Sequence, residues 1–380
     1  MKTGVCNLPL HPGSCPKWLF PRMKKLSGLI AEAIVDEYGT EEFLRRIADP
    51  FFFQSLSCVI GFDWHSSGTT TTTMGALKES VNSLNLGIEI CGGKGATSRK
   101  TPSEIAATTM NVQSQKIERL VYSSRMAAKV DSNLVQAGYV LYHHCFVFTE
   151  NGSWAVVQQG MNDANGYARR YHWLSDNVQS FVEEPHLGIC GEKEQEVLDM
   201  TARQSDGARK TSLDLVKDNP LHLRRYFTKQ TVLQQFVNVT TTTTKNSSSN
   251  DDYGDGYELT LPSHHPTPQL SEKSLASLQK AYELQPQNYE ELVSLQGIGA
   301  KSIRALALVS ELVYGAKASW KDPVKYSFAH GGKDGFPYQI NREHYDKSIE
   351  ILTTAIRNSF GREEQLKAIK RLSGYIQVPK

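Results

Sequence analysis

The sequence predicts an α+β protein, with a mostly helical N-terminal domain around a small antiparallel sheet and an all-α C-terminal domain. Three observations lead to this prediction. Capped amphipathic segments recur through the first 135 residues, as is typical of helices. Two apolar segments flank Asn151-Gly152, a strong β-hairpin turn signal. Near the C-terminus, Gly297-Ile298-Gly299 separates two amphipathic helices.

The N-terminal helices are predicted from their start and stop signals. Pro16 opens the first helix and Gly39 ends it. Asp49-Pro50 starts a third helix, although the apolar residues that follow equally fit a buried strand; the Asp-Pro start signal favours the helix. Thr101-Pro102-Ser103-Glu104 has the pattern of a capping box. The predicted helices span residues 16–38, 40–48, from 50 onward, 68–83 and 102–135.

The predicted sheet contains a short strand and a hairpin. The short strand covers residues 86–91, and the hairpin pairs residues 138–149 with 154–161. Because side chains alternate between the faces of a strand, His143 and His144 are expected on opposite faces. Whether His143 or His144 lies on the face of a functional site stays open at this point.

Composition divides the chain into two folded blocks joined by a linker. Residues 238–268 are rich in Thr, Ser, Asn and Asp and cannot bury apolar surface, so we expect a flexible linker there. The N-terminal α+β domain is predicted over residues 1–237 and is the expected catalytic domain. The helical C-terminal domain is predicted over residues 269–380.

Charge and cysteine usage limit the class of protein. The formal charge is 42 − 40 = +2, so the overall charge does not indicate a polyanion as the partner. Six cysteines contain no CxxC pair, which supports neither a zinc ribbon nor a disulfide framework. No apolar run reaches the roughly 18 residues of a membrane span. We therefore expect a cytoplasmic protein with no membrane partner.

The first candidate site is the loop from Gly61 to Thr70. Asp63 and His65 could bind a divalent metal such as Mg²⁺ or Mn²⁺, or transfer a proton. Ser66 and Ser67 precede a helix, where hydroxyl and amide groups favour an anion. The alternative is that these residues only cap the helix and satisfy loop amides.

The second candidate site is the loop from Cys91 to Pro102. Gly93, Lys94, Arg99 and Lys100 combine backbone donors with positive charge, which suits a phosphodiester. The GxxxxGK[ST] spacing of a nucleotide-binding P-loop is missing. The alternative is a flexible basic turn.

The third candidate site lies on the hairpin and the segment after it. His144 and Gln158 are candidate catalytic residues on neighbouring strands. Arg169 and Arg170 follow among aromatic residues, as in a groove that binds a nucleic-acid strand. The alternative for the arginines is a solvated pair beside core aromatics.

The Gly297-Ile298-Gly299 segment, within residues 288–314, resembles a helix-hairpin-helix motif, which binds the nucleic-acid backbone in many families. Gly297 and Gly299 would expose amides toward a phosphate, and Ile298 is the expected buried residue. Lys301 and Arg304 follow on the second helix. The alternative is an ordinary pair of helices joined by a glycine turn.

Several segments together resemble one known family, called domain of unknown function 763, which is found in archaea and bacteria. The segments are LPLHPG, PKWLFPRM, GFDWHSSGTTTT, CGGKGATSRKTPSEI, LYHHCFVFTENGSWAVVQQGMN, GYARRYHW and GGKDGFPY. The resemblance implies a C-terminal helix-hairpin-helix and a role in DNA transactions, with nuclease activity the leading suggestion. It provides no catalytic residues for this chain.

These features predict a DNA-binding protein that cleaves phosphodiester bonds, on single-stranded or branched DNA among other substrates. Asp63, His65, Lys94, His144 and Gln158 are the catalytic candidates. The alternative is a non-catalytic DNA- or RNA-binding accessory protein of repair or recombination. A third reading is an enzyme that acts on a small phosphorylated ligand. Aromatic residues such as Trp18 and Phe51 suit a dimer interface, so a homodimer is also considered.

Overall fold

A computed structural model of the chain describes residues 8–10, 15–62, 66–218, 272–324, 346 and 349–350. The chain forms two compact units. Unit 1 contains Met1–Gln195 together with Asp322–Lys380, and unit 2 contains Glu196–Lys321.

The helices of unit 1 follow the predicted order. They are α1 (Phe20–Tyr38), α2 (Thr40–Ala48), α3 (Pro50–Val59), α4 (Ser67–Leu84), α5 (Thr101–Ala106) and α6 (Ser114–Asn133). Gly39 ends α1 with a φ of 85°, where glycine is favoured. The Asp49 side chain accepts hydrogen bonds from the Phe51 and Phe52 amides, so the predicted Asp-Pro start of α3 is confirmed.

A five-stranded antiparallel sheet forms the centre of unit 1, in the order β1-β3-β4-β5-β6. Its strands are β1 (Ile88–Lys94), β3 (Val140–Thr149), β4 (Trp154–Asn162), β5 (Tyr167–Leu174) and β6 (Gly188–Cys190); the two-residue β2 covers Val135–Gln136. The predicted hairpin is confirmed as β3 and β4, with Gly152 at a φ of 89° in the turn. The α+β fold class is therefore confirmed.

Helices cover both faces of the sheet. On one face, which we call the α4 face, Val147 and Val157 pack in a core with helices α1 to α4. On the other, the α6 face, Phe146 and Trp154 stack with ring centroids 5.5 Å apart. Phe181 stacks on Trp154 at 6.0 Å and extends this aromatic layer.

Side chains cover the outer edge of β1. Asn82 makes two hydrogen bonds of 2.9 Å with the amide and the carbonyl of Ile90. At Gly92, the Glu104 carboxylate accepts from the amide at 2.7 Å and the Lys78 ammonium donates to the carbonyl at 2.8 Å. These bonds satisfy backbone groups that an edge strand would otherwise leave open.

The single helix predicted over residues 102–135 is instead two helices, α5 and α6, separated by residues 107–113. The predicted capping box also does not form. Glu104 binds the Gly92 amide and pairs with Lys78 at 2.6 Å, and so it is not available to cap its own helix.

Unit 2 is mainly helical where the structure describes it. Its elements are β7 (Leu198–Asp199), α7 (Asp206–Lys217), α8 (Glu272–Leu284), α9 (Tyr289–Ser294) and α10 (Ala300–Tyr314). Ser212 on α7 and Ser310 on α10 meet at 3.3 Å in a buried contact. The predicted linker over residues 238–268 lies outside the described residues, so the domain bounds at 237 and 269 remain a prediction.

None of the helices among the described residues is long and apolar enough to span a membrane.

Candidate functional site

A row of polar side chains crosses the α4 face of the sheet. In the strand register, Lys94 of β1 lies opposite His143 of β3, His143 lies opposite Gln159 of β4, and Gln159 lies opposite Arg170 of β5. The neighbouring positions on this face, Cys145 and Val157, belong to the apolar core. The row therefore marks the place where the α4 face changes from apolar to polar.

His143 is the least satisfied member of this row. Its side chain is 1% exposed, and neither ring nitrogen has a hydrogen-bond partner in the part of the chain that the structure describes. Burial, followed by the neighbouring His144 and the Lys94 ammonium, lowers the pKa of His143 to about 3. The imidazole is therefore neutral at pH 7.

Gln159, next to His143, makes hydrogen bonds to three other residues. Its Oε1 accepts from the Thr70 hydroxyl, and its Nε2 donates to the Ser67 carbonyl at 2.8 Å and to the Tyr142 hydroxyl. These bonds fix the β4 end of the row against the first turn of α4. Among the described residues, Gln159 makes no hydrogen bond to His143.

His144 and Gln158, two of the predicted catalytic residues, lie on the α6 face. His144 Nε2 is 2.9 Å from the Ser124 hydroxyl, and His144 Nδ1 is 2.7 Å from Gln158 Oε1. Gln158 Nε2 donates to the Ala127 carbonyl at 3.0 Å and to Asp131. The sheet therefore separates His144 and Gln158 from Lys94.

The amide of Gln158 fixes the tautomer of His144. Because Gln158 Nε2 faces two acceptors, its Oε1 must face the imidazole, and His144 Nδ1 must carry the hydrogen. His144 Nε2 then accepts from Ser124. Burial is the main cause that lowers the pKa of His144, so this neutral form persists at pH 7.

Asp131 completes the network on the α6 face. Its carboxylate accepts from Gln158, from the Trp173 indole at 3.0 Å and from His186. The order Ser124, His144, Gln158 resembles a nucleophile, a base and an orienting group. However, Ser124 is 1% and Gln158 0% exposed, and each has its partner inside the protein. The arrangement fits a network that stabilises the interior.

The basic loop after β1 is exposed as predicted. Lys94, Arg99 and Lys100 are all exposed, the last two at the end of a 3₁₀ helix over Gly95–Lys100. Gly93 has a φ of 149° and is partly exposed. The Lys94 ammonium lies 5.9 Å from the centre of the Tyr142 ring. The loop thus presents three cations beside the polar row.

Arg169 and Arg170 do not form the exposed groove that their sequence context suggested, because both side chains are fully buried. Arg169 pairs with Asp322 at 2.6 Å and stacks on the Tyr139 ring. Arg170 donates to His172 at 2.8 Å and to Gln54 at 3.0 Å. Their burial contradicts a direct contact with a polymer at the surface, and both act inside the fold.

Ser66 and Ser67 act as the start of α4. The Ser66 side chain accepts from the Gly68 amide at 3.0 Å, and the Ser67 amide donates to the Pro9 carbonyl at 3.0 Å. The predicted anion site at this helix start is therefore occupied by the protein's own groups. Asp63 and His65 lie outside the described residues. In the described segments, no group of three or more His, Cys, Asp and Glu side chains could hold a metal.

The hairpin of unit 2 has the geometry that the glycines predict. Gly297 has a φ of 93° and is exposed, while Ile298 is buried at 3% exposure. Gly299 is the N-cap of α10, and no side chain caps that helix start. Lys301, on the first turn of α10, is exposed.

Two hairpin residues also have roles within unit 2. A Cβ atom at Gly297 would overlap the Ser277 hydroxyl of α8, so packing alone already requires glycine there. Arg304 is half-buried, with its guanidinium 5.6 Å from the centre of the Trp320 ring. Lys301 is therefore better placed for a ligand than Arg304.

A family model described as "Protein of unknown function (DUF763)" matches residues 4–340 of the chain. The chain belongs to the DUF763 family. The resemblance noted in the sequence is thereby confirmed. No curated protein and no solved structure matches the chain.

Sequence reasoning missed several residues of this DUF763 protein that the structure brings together. Ser124 and Asp131, which join His144 on the α6 face, were not predicted. The sequence had left open whether His143 or His144 and whether Gln158 or Gln159 faces the site, and the structure places His143 and Gln159 with Lys94 on the α4 face. The alternation of His143 and His144 was a usable signal. It required the register of β1 against β3, which fixes the face that Lys94 shares.

Proposed function

We propose that this protein binds nucleic acid through the phosphate backbone and cleaves DNA phosphodiester bonds. The observation that carries the proposal is the exposed hairpin of unit 2. The exposed Gly297 permits a close backbone approach, and the exposed Lys301 on the first turn of α10 adds a positive charge. This combination suits a phosphate group and reads no base edges.

The basic loop of unit 1 supports the same proposal. Lys94, Arg99 and Lys100 are exposed within seven consecutive residues, 94–100, which favours a polyanion over a neutral ligand. Either single-stranded or branched DNA would offer phosphates to such a loop.

Cleavage is the more demanding part of the proposal. It needs an activated water and positive charge near the scissile phosphate. Lys94 is the described residue that suits the second task, while Asp63 and His65 are proposed for a divalent Mg²⁺ or Mn²⁺ site. The closed Ser124–His144–Gln158 network supports the alternative, a non-catalytic DNA- or RNA-binding accessory protein in repair or recombination.

We also propose a cellular location and an assembly state. Six cysteines without a CxxC pair are typical of a protein in the reducing cytoplasm. A homodimer is proposed from the partly exposed aromatic residues Trp18 and Phe51.

Binding and cleavage can be separated in one set of assays. Labelled single-stranded, duplex and branched DNA is incubated with the protein and Mg²⁺, Mn²⁺ or a chelator. Lys301→Glu should weaken binding by at least tenfold, whereas Lys317→Glu, the same charge change beyond the far end of α10, should have little effect. Equal effects of the two variants would reject the hairpin as the binding site.

Cleavage is tested with Asp63→Ala and His65→Ala. We expect each to abolish or strongly reduce cleavage while binding persists. Binding without cleavage under every metal condition would reject the nuclease and leave the accessory protein.

A further inference from the structure

We propose that Lys94 and His143 form a binding site for a phosphate oxyanion, in which the neutral imidazole donates its N–H to a phosphate oxygen and the ammonium neutralises the charge. This inference deepens the proposed function, since it names the group of the nucleic acid that unit 1 binds. The probes below test it without any polymer.

His143 carries a free-energy cost in the folded protein, because its ring nitrogens are buried without a partner among the described residues. A neutral imidazole carries one N–H donor and one acceptor nitrogen. A buried donor without a partner costs stability, and almost all buried polar groups are therefore paired. His143 is 1% exposed and has no partner on either nitrogen among the described residues. An apolar side chain of similar size would avoid that cost, so the imidazole is best explained by a ligand.

The side chains of Gln159 and His144, next to His143, make their hydrogen bonds with other residues. Gln159 uses its Oε1 for Thr70 and its Nε2 for Ser67 and Tyr142. His144 points to the α6 face, where Ser124 and Gln158 bind its two nitrogens. The nearest side chain in the register that remains is Lys94, which is itself only a donor.

The sign of the ligand's charge follows from the groups around His143 and Lys94. Residues directly opposite in an antiparallel pair have Cβ atoms about 5 Å apart, so Lys94 and His143 share one small site. Among the described residues, the titratable groups that act on His143 are His144 and Lys94, and neither is acidic. No carboxylate pairs with Lys94 in the described ranges. A metal cation would be repelled by the ammonium, whereas an oxyanion would be attracted by it and could accept from His143.

The protonation state of His143 determines what its imidazole contributes to the site. Since burial and the nearby Lys94 keep the imidazole neutral, its N–H acts as a hydrogen-bond donor that carries no charge of its own. Lys94 then supplies the positive charge, and the exposed end of β1 supplies the approach. This division of roles fits a phosphate group from a polymer, a nucleotide or free phosphate.

The test measures binding of inorganic phosphate, deoxythymidine monophosphate and the dinucleotide TpT by calorimetry. The binding constants of the unmodified protein show which of the three sources is preferred. His143→Leu and Lys94→Met should each weaken binding by about 10- to 100-fold, the range expected for a lost hydrogen bond to a charged group. Lys17→Met, an exposed cation of unit 1 that belongs to no candidate site, is the matched control and should change binding by less than about threefold.

His143→Asn guards against a folding defect, because it retains an N–H donor near the position of Nδ1. It should bind phosphate better than His143→Leu. In protein labelled with ¹⁵N at histidine, inorganic phosphate should shift the His143 ring resonances and leave those of His144 unchanged.

Two outcomes would overturn the inference: none of the three probes binds, or His143→Leu binds as tightly as the unmodified protein. Phosphate binding that is lost in His143→Leu, in a protein that binds no DNA, would support this site and reject the proposed function. DNA binding that depends on Lys301 without any phosphate binding at His143 would support the proposed function and reject this site.

Discussion

His143 and His144 are neighbours in the chain with opposite surroundings. His144 has a partner on both ring nitrogens, whereas His143 has none among the described residues. Both are buried and both have a lowered pKa. The difference between them predicts different consequences when either imidazole is removed.

Replacing each histidine by leucine separates a structural role from a binding role. His144→Leu would remove the partner of the Ser124 hydroxyl and of Gln158 Oε1 and should lower the free energy of unfolding by about 2–4 kcal/mol. His143→Leu removes an unsatisfied group and should be neutral or stabilising. Urea unfolding followed by circular dichroism measures both variants. A loss in His143→Leu as large as that in His144→Leu would contradict the account of His143.

The lowered pKa of His143 also predicts how stability depends on pH. The pKa is about 3 in the folded protein and 6.5 ordinarily, so between these values the unfolded chain binds the extra proton. Stability is therefore complete above pH 6.5 and falls as the pH decreases toward 3. One such histidine contributes a slope of about 1.4 kcal/mol per pH unit.

This pH dependence can be measured by urea unfolding at pH 7.5, 6.0 and 5.0. The slope of the free energy of unfolding against pH should be shallower in His143→Leu by up to about 1.4 kcal/mol per pH unit, the contribution of one proton. His144 and His172, whose pKa values are also lowered, should keep a residual slope in the same direction. Identical slopes in the unmodified protein and in His143→Leu would show that His143 titrates normally.

Sequence alone separates the two histidines but cannot assign them to faces. Alternation follows from the strand itself. The assignment depends on pairing with β1, 49 residues earlier at Lys94, and on a bulge between Leu141 and His143. Likewise, the burial of Arg169 depends on Asp322, which is 153 residues away in the sequence. Contacts over such separations leave no local pattern to read.

At the scale of elements, β1 depends on its glycines for close approach to β3. Gly92 has a φ of 93°, and a Cβ atom there would overlap the His144 carbonyl oxygen and the Thr101 hydroxyl. The predicted phosphate-binding loop from Cys91 to Pro102 thus includes a glycine, Gly92, that strand packing requires.

Gly92→Ala should therefore be far more damaging than Gly95→Ala. Gly95 has a φ of 62° but nothing within 4 Å of its Cβ position, so alanine there costs only the strain of a positive φ, about 1 kcal/mol. Gly92→Ala adds a clash with backbone and should cost on the order of 3 kcal/mol or more. Thermal unfolding measures both, and similar melting temperatures would contradict the packing of β1 on β3.

The local signals predicted most elements well. Asp49-Pro50, Gly39 and Asn151-Gly152 each act where the sequence indicated, because caps and turns are decided by a few adjacent residues. The prediction failed between α5 and α6, where Glu104 binds the amide of Gly92 in place of its own helix. A tertiary hydrogen bond overrode a local capping pattern.

At the scale of the whole molecule, the account assigns phosphate binding to both units. Unit 1 presents Lys94 beside His143, and unit 2 presents the hairpin with Lys301. The resemblance of the motifs correctly predicted the family of the chain. It could not predict the sites, because the resemblance provides no catalytic residues for this chain. Local spacing also does not describe the pairing of β1 with β3.

The salt dependence of DNA binding shows whether the protein binds the charged backbone of nucleic acid. Dissociation constants are measured from 50 to 200 mM NaCl for a DNA and for an uncharged methylphosphonate analogue of the same sequence. We predict a negative linear slope of log affinity against log salt for DNA, reduced by about one unit in Lys301→Ala, and no binding of the analogue. Equal binding of both polymers, or an affinity independent of salt, would contradict the account.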